Sequence, residues 1–229
     1  MEIQNNILKH YLKNCYFING TAYAGKSTMC RMLAEKYSMI HCEENYNLDM
    51  VLSVVTQEQQ PALNYFNCKT SWQEYVSRTP DEFENWFNGI SREVTGFEIA
   101  ELIRLSVKEK VIVDTNIPCD VLKEISDYDH VAIMVCPPRI SVEKFFDRSD
   151  TEKQFLLSEI SKCPDPGLTL QNFKECIERV NSQKYFDQFV SSGFFTVVRD
   201  STDADTRTET LETLARHFAL EAKAPEVSS

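Results

Sequence analysis

The chain has 229 residues, a formal net charge of −11, 42% hydrophobic and 26% charged residues. That length supports one sizeable α/β core with room for a small appended subdomain, in a composition typical of soluble globular proteins. A polyanionic partner needs a basic face, so the acidic balance argues against nucleic acid while leaving room for a local basic cleft.

A short helix is expected in the first dozen residues, leading into a first strand over Cys15–Asn19. The run Gly20-Thr21-Ala22-Tyr23-Ala24-Gly25-Lys26-Ser27-Thr28 follows and fits G-x-x-x-x-G-K-[ST], the phosphate-cradling loop. Its context supports the match, because a helix pattern over Lys26–Tyr37 comes next, with Met29, Met32 and Leu33 on one side. A second strand is predicted at Met39–Glu43. The stretch from Glu44 to Lys110 is too long for a simple crossover and must hold a helical insertion. Within it, Ser71-Trp72-Gln73-Glu74 has capping-box spacing, and Thr79-Pro80-Asp81-Glu82 combines a cap, a first-turn proline and two acids.

Further strands are predicted at Val111–Thr115, His130–Cys136 and Phe194–Arg199. Between the last two lie a lid-like segment at about 139–165, with a further S-x-x-E cap at Ser149-Asp150-Thr151-Glu152, and a helical stretch from Leu170 to Val190. Phe173, Ile177, Val180, Phe186 and Phe189 recur along that stretch. A helix over Thr206–Leu220 closes a single domain spanning 1–220, and the tail Glu221–Ser229 reads as disordered. Strands alternating with helices imply right-handed crossovers and a parallel sheet, and continuous apolar runs suit strands covered on both faces. The eight cysteines include no C-x-x-C pair, and Cys15 and Cys136 lie inside apolar runs. Free buried thiols in a reducing cytoplasm are therefore expected. No apolar run is long enough to span a bilayer, so no membrane partner is expected.

In the phosphate loop, glycines would let the backbone turn its amides toward an anion, with the positive end of the following helix behind them. Lys26 would neutralise the outer phosphates and the Ser27 hydroxyl would join the shell of a Mg²⁺ ion. Asp114 ends an apolar strand, Val111-Ile112-Val113-Asp114, as a metal-holding carboxylate does; a turn-forming or capping role before Pro118 is the alternative. Glu43 and Glu44 end the second strand, where an acid can orient an acceptor hydroxyl or take its proton, and strand parity leaves the choice between them open. Arg139 and Arg148 follow the fourth strand and could stabilise charge on a transferring phosphoryl group, with Lys153 a weaker candidate. Arg199 follows the last strand and could pack on a nucleotide base, or belong to a plain turn. The insertion is rich in rings, among them Trp72 and Trp86, which would line an acceptor pocket or build a local core. Arg78, Arg92 and Arg104 could hold an acidic acceptor, Arg92 standing out because Asn88-Gly89 before it suggests a loop.

The phosphate loop, the strand-two acids, Asp114 and the segment Arg139–Arg148, in this order, resemble the small P-loop kinases, the group holding adenylate, shikimate and gluconate kinases. The resemblance runs from about Cys15 to Leu220. It implies an α/β fold with three α/β/α layers and a five-stranded parallel sheet in the order 2-3-1-4-5, helices covering both faces. It further implies ATP and Mg²⁺ as cofactors, with γ-phosphoryl transfer to a small metabolite, nucleoside or nucleotide by a monomer or homodimer. Candidate nucleotide contacts are then Gly20 to Thr28 and Arg199, and candidate acceptor contacts are Arg78, Trp86 and Arg92. The chain departs from the group at Tyr23, where many members have glycine, in lacking Asp-x-x-Arg after strand two, and in an arginine-poor lid. A nucleotide-binding regulator with slow hydrolysis, acting through a protein partner, is the competing expectation; a degenerate, mainly structural relative is the third.

Overall fold

A computed structural model of the chain describes residues 3–143, 145, 151–200 and 205–220. In chain order, α1 (Asn5–Tyr11) leads to β1 (Cys15–Gly20), α2 (Lys26–Tyr37) and β2 (Ile40–Cys42). The insertion then forms α3 (Leu48–Val54), α4 (Pro61–Cys68), α5 (Trp72–Val76) and α6 (Pro80–Leu105). It is followed by β3 (Val111–Asp114), α7 (Cys119–Ile125), a short 3₁₀ turn at Tyr128–His130 and β4 (Val131–Val135). After α8 (Pro138–Glu143), α9 (Thr151–Ser161), α10 (Pro166–Val180) and α11 (Gln183–Val190), the chain returns as β5 (Phe195–Val198) and ends in α12 (Arg207–His217).

The five strands form one parallel sheet in the order β2-β3-β1-β4-β5. Alternate strand residues feed two cores, as the two-residue side-chain period requires. Tyr16, Ile18, Ile112, Ala132 and Met134 pack against Met29, Cys30 and Leu33 of α2 and Leu211 and Leu214 of α12. Cys15, Phe17, Val111, Val113, Val131, Ile133 and Val135 face the other way, against Leu102 of α6, Leu122 and Ile125 of α7 and the flank of α11. Both faces are covered, so β1, β3 and β4 are buried at every position. Their sequences are accordingly continuous apolar runs.

A third cluster, Val76, Phe83, Ile160, Cys163, Phe173, Cys176 and Ile177, joins α5, α6, α9 and α10 into a helical cap. Helix α6 belongs to both bodies: Phe83 near its start sits in the cap and Leu102 near its end sits under the sheet. Its 26 residues span roughly 39 Å. It starts on a complete capping box, with Thr79 and Glu82 each bonding the other's backbone and Pro80 in the first turn. The Asn88-Gly89 pair is therefore helix interior, not the loop expected before Arg92. Gly89 is needed there because a Cβ would come within 2.9 Å of Ala62 Cβ on α4. The expected continuous stretch Leu170–Val190 is two helices, broken at Asn181 and Ser182.

All eight cysteines are free, and Cys15 and Cys136 are buried as expected. Among the described residues no helix is long and apolar enough to cross a membrane.

Candidate active site

Each candidate segment leaves the carboxyl edge of the sheet, where parallel α/β folds place ligand crevices. The loop after β1 is bound tightly to β4. Gly20 has φ +137° and so little clearance that a Cβ would stand 1.7 Å from the Met134 carbonyl oxygen. Thr21 N donates to that same oxygen at 3.0 Å, and Cys136 N donates to Thr21 Oγ1 at 2.7 Å. Ser141 Oγ donates to the Ala22 carbonyl at 2.9 Å and an Arg199 guanidinium nitrogen donates to the Tyr23 carbonyl at 3.0 Å. Carbonyls 22 and 23 are thus held from the β4 and β5 side. Gly25, at φ +94°, caps α2. The first amides of that helix, from Lys26 to Thr28, have no intrahelical acceptor and carry the positive end of its dipole.

Tyr23 stands in the left-handed region at φ 64°, which an ordinary side chain adopts only when its surroundings compel it. Its ring packs against the core formed by α2 and α12, so here the ring anchors the loop to the body of the protein.

Lys26 and Ser27 converge on Asp114. Ser27 Oγ donates to Asp114 Oδ2 at 2.5 Å, and Lys26 Nζ lies 3.9 Å from Oδ1 and 3.5 Å from the Thr21 carbonyl. The pairing Ile18↔Asp114 between β1 and β3 sets this distance. Asp114 is only 2% exposed, and its Oδ1 has no hydrogen-bond partner. Burial pushes its carboxyl above the ordinary carboxylate range, with Lys26 and the Ser27 hydroxyl pulling the other way. A capping role for Asp114 is not what the structure has, since its carboxylate turns to the loop.

The parity question at the end of β2 resolves in favour of Glu44. Its carboxylate accepts from Asn116 Nδ2 at 2.7 Å and lines the large cavity in front of the loop. Glu43, a candidate for catalysis, is 76% exposed, faces His41 across 4.0 Å and reaches only the rim of a small neighbouring cavity, not the large one. Arg139 also departs from its expected role: 79% exposed, it pairs with Glu143 one turn along α8 at 3.7 Å and does not line the cavity. Arg148 lies outside the described residues.

The cavity measures about 1420 Å³ and runs from the loop, Asn19 to Thr28, to the aromatic insertion. Trp86 lines it and donates its indole N–H to the Ala62 carbonyl at 3.0 Å. Arg92 lines it from α6, where its side chain pairs with Asp120 at 3.4 Å. Arg78 does not line it: its guanidinium lies 3.7 Å from the ring centre of Tyr65 and 4.8 Å from that of Trp86, a cation built into the aromatic packing. Arg104 pairs with Glu101 on the same helix, away from the cavity.

One residue has no counterpart in the sequence expectations. Glu98 on α6 has its Oε1 buried without a hydrogen-bond partner, although part of the side chain remains accessible. With Glu44 and Asp114 it lines a small cavity of about 40 Å³ beside the large one. Burial raises its carboxyl from the ordinary 4.5 to about 7, and the charges of Asp114 and Glu44 add to the rise against a hydrogen bond with Thr115. The available signal was helical spacing: Glu98 is four residues before the buried Leu102, an acid on an apolar face.

No protein-family model matches the chain, and no curated protein matches it.

Proposed function

We propose that the protein is a P-loop kinase that transfers the γ-phosphoryl group of Mg-ATP to a hydroxyl of a small molecule. The observation that carries this reading is the convergence of Ser27 Oγ and Lys26 Nζ on the buried Asp114 carboxylate at the start of α2, with Lys26 and Ser27 lining the large cavity and Asp114 the small one beside it. The unpartnered Asp114 Oδ1 suits a hard cation, which takes oxygen ligands. Ser27 and Asp114 would hold Mg²⁺, directly or through water. Among the described residues no group of three or more His, Cys, Asp or Glu is arranged for a metal. That is compatible with magnesium, which keeps waters and takes phosphate oxygens rather than a full protein cage. Bound Mg²⁺ would supply neutralisation of phosphate charge.

The protein's own groups would do the rest. The amides opening α2 and the Lys26 ammonium would hold the β- and γ-phosphates. Glu44, fixed by Asn116, would orient the acceptor hydroxyl and take its proton. The acceptor oxygen bonds to the γ-phosphorus as the bond from that phosphorus to the β–γ bridging oxygen breaks, and ADP leaves with the electron pair. The free thiols support a reducing, cytoplasmic setting for this activity.

The test is ADP release with and without acceptors. Release should rise when a suitable alcohol is added, and Lys26→Ala should lower it by about 10²–10³-fold, the usual cost of removing a charge-stabilising donor. A Lys26→Ala protein with native turnover would discard the reading.

A further inference from the structure

The chemistry of the cavity wall beyond the loop narrows the acceptor. Eleven rings of the described residues contribute to that wall, among them Phe66, Trp72, Trp86 and Phe87 from the insertion, Phe155 from α9 and Tyr185 from α11. They are mutually ordered, with Phe66 and Trp86 edge to face at 5.7 Å and Trp72 and Phe155 edge to face at 5.3 Å. The volume of about 1420 Å³ exceeds the roughly 300–1,000 Å³ of a site for one drug-sized ligand. A nucleotide and a ring-sized acceptor can therefore share it.

Charge points the same way. Apart from Lys26, the cations among the described lining residues are Arg92, Lys153 and Lys184. Each faces a carboxylate: Arg92 meets Asp120 at 3.4 Å, Lys153 meets Glu152 at 3.7 Å and Lys184 meets Glu84 at 3.2 Å. An anionic acceptor would have to compete with these acids and give up water against aromatic rings, which is costly for a charge. A neutral ring makes no such demand and gains from edge-to-face and offset contact with each well-placed aromatic neighbour.

Building on the phosphotransferase reading, we propose that the acceptor is an uncharged alcohol carried on a flat aromatic or heteroaromatic ring. The same wall disfavours phosphate esters and hydroxy acids, whose charge would lose water against the rings. A nucleoside and an aryl alcohol of similar size share this chemistry, and the experiment separates them.

The chain's two tryptophans, Trp72 and Trp86, both line the cavity, so an occupying ring reports itself by quenching without turnover. The full-length protein is titrated, in the absence of any triphosphate, with nucleosides against their own 5′-monophosphates. An aryl alcohol is titrated against the hydroxy acid of the same skeleton. In at least one pair the uncharged member should bind about tenfold tighter or better, and which pair does so names the source. Trp72→Phe and Trp86→Phe keep a ring in place and should each remove part of the quenching signal. Asp120→Asn, an exposed change that releases Arg92, should narrow the preference about two- to fivefold. Equal or tighter binding of the anionic member in both pairs overturns the proposal, as does the absence of quenching by any uncharged ring at millimolar concentration. If quenching persists in a protein that binds no Mg-ATP, the phosphotransferase reading alone fails.

Discussion

At the scale of single residues, the backbone of the β1–α2 loop is over-determined. Gly20 is compelled by the Met134 carbonyl against which it lies, and Gly25 by the left-handed cap of α2. Tyr23 takes a similar backbone conformation without glycine's freedom, a cost of order 1–2 kcal/mol. That cost is offset by packing its ring on the α2–α12 core and by the Arg199 bond to its carbonyl. The departure from glycine is thus compatible with an anion-cradling turn, because the ring faces the core. Glu98 presents the opposite situation, a carboxyl whose surroundings disfavour its charge. In the unfolded chain it titrates near 4.5 and in the folded chain near 7. Between those values the folded state holds a proton that the unfolded state has lost, so stability falls as pH rises through this window. The penalty is complete above the folded value. Glu98→Gln should therefore be more stable than the native protein at pH 8 by on the order of 3 kcal/mol and nearly equal to it at pH 4. Urea unfolding at both pH values, without divalent cations, reads this directly; an offset that does not change with pH would contradict the buried carboxyl.

At the scale of elements, α6 couples the cap to the sheet, and its two internal glycines have different grounds. A Cβ at Gly89 would press on Ala62 of α4, whereas one at Gly96 would meet nothing within 4 Å. Gly96→Ala should therefore stabilise the protein by about 0.5–1 kcal/mol, the helix-propensity gain. Gly89→Ala should lose that gain to the displacement of α4, ending about 1 kcal/mol below its sister variant. Denaturant midpoints of the two proteins make the comparison, and equal gains would show that α4 and α6 do not pack this closely. The same helix marks where sequence reading succeeded and stopped. Its start was legible because Thr79, Pro80 and Glu82 act within one turn. Its continuity through Asn88-Gly89 was not, because the reason for the glycine lies on α4, in a contact no local pattern encodes. The strands β1, β3 and β4 were readable to within a residue at each end because coverage on both faces leaves an uninterrupted apolar run; the partly buried edge strands β2 and β5 were bounded as closely without that signal. In the site, the loop, Ser27 and Asp114 were legible from local spacing. The solvent-facing positions of Glu43 and Arg139, the stacking of Arg78 and the burial of Glu98 depend on tertiary neighbours.

At the scale of the whole molecule, the cavity lies between the sheet's carboxyl edge and the cap, so its occupants touch both bodies of the fold. A ligand that binds only the folded chain stabilises it by an amount set by its concentration and affinity, about 2.7 kcal/mol at a hundredfold excess over Kd. For a domain of roughly 150–250 residues, each kcal/mol raises Tm by about 2–4 °C. Mg-ATP at that excess should accordingly shift the melting of the native protein upward by about 5–10 °C. Lys26→Ala removes the ammonium that lies beside Asp114 and, on the proposed reading, would meet the phosphates, so at the same concentration the shift should fall to near zero. Gly96→Ala alters no group in the cavity and should keep the full shift on top of its own higher baseline. This separates binding at the loop from general tightening of the fold, because a nucleotide acting elsewhere would stabilise all three proteins alike. Omitting magnesium gives the last discrimination. If Ser27 and Asp114 hold the ion, ATP alone brings its phosphate charge toward the Asp114 carboxylate without the cation between them, and the native shift should shrink severalfold.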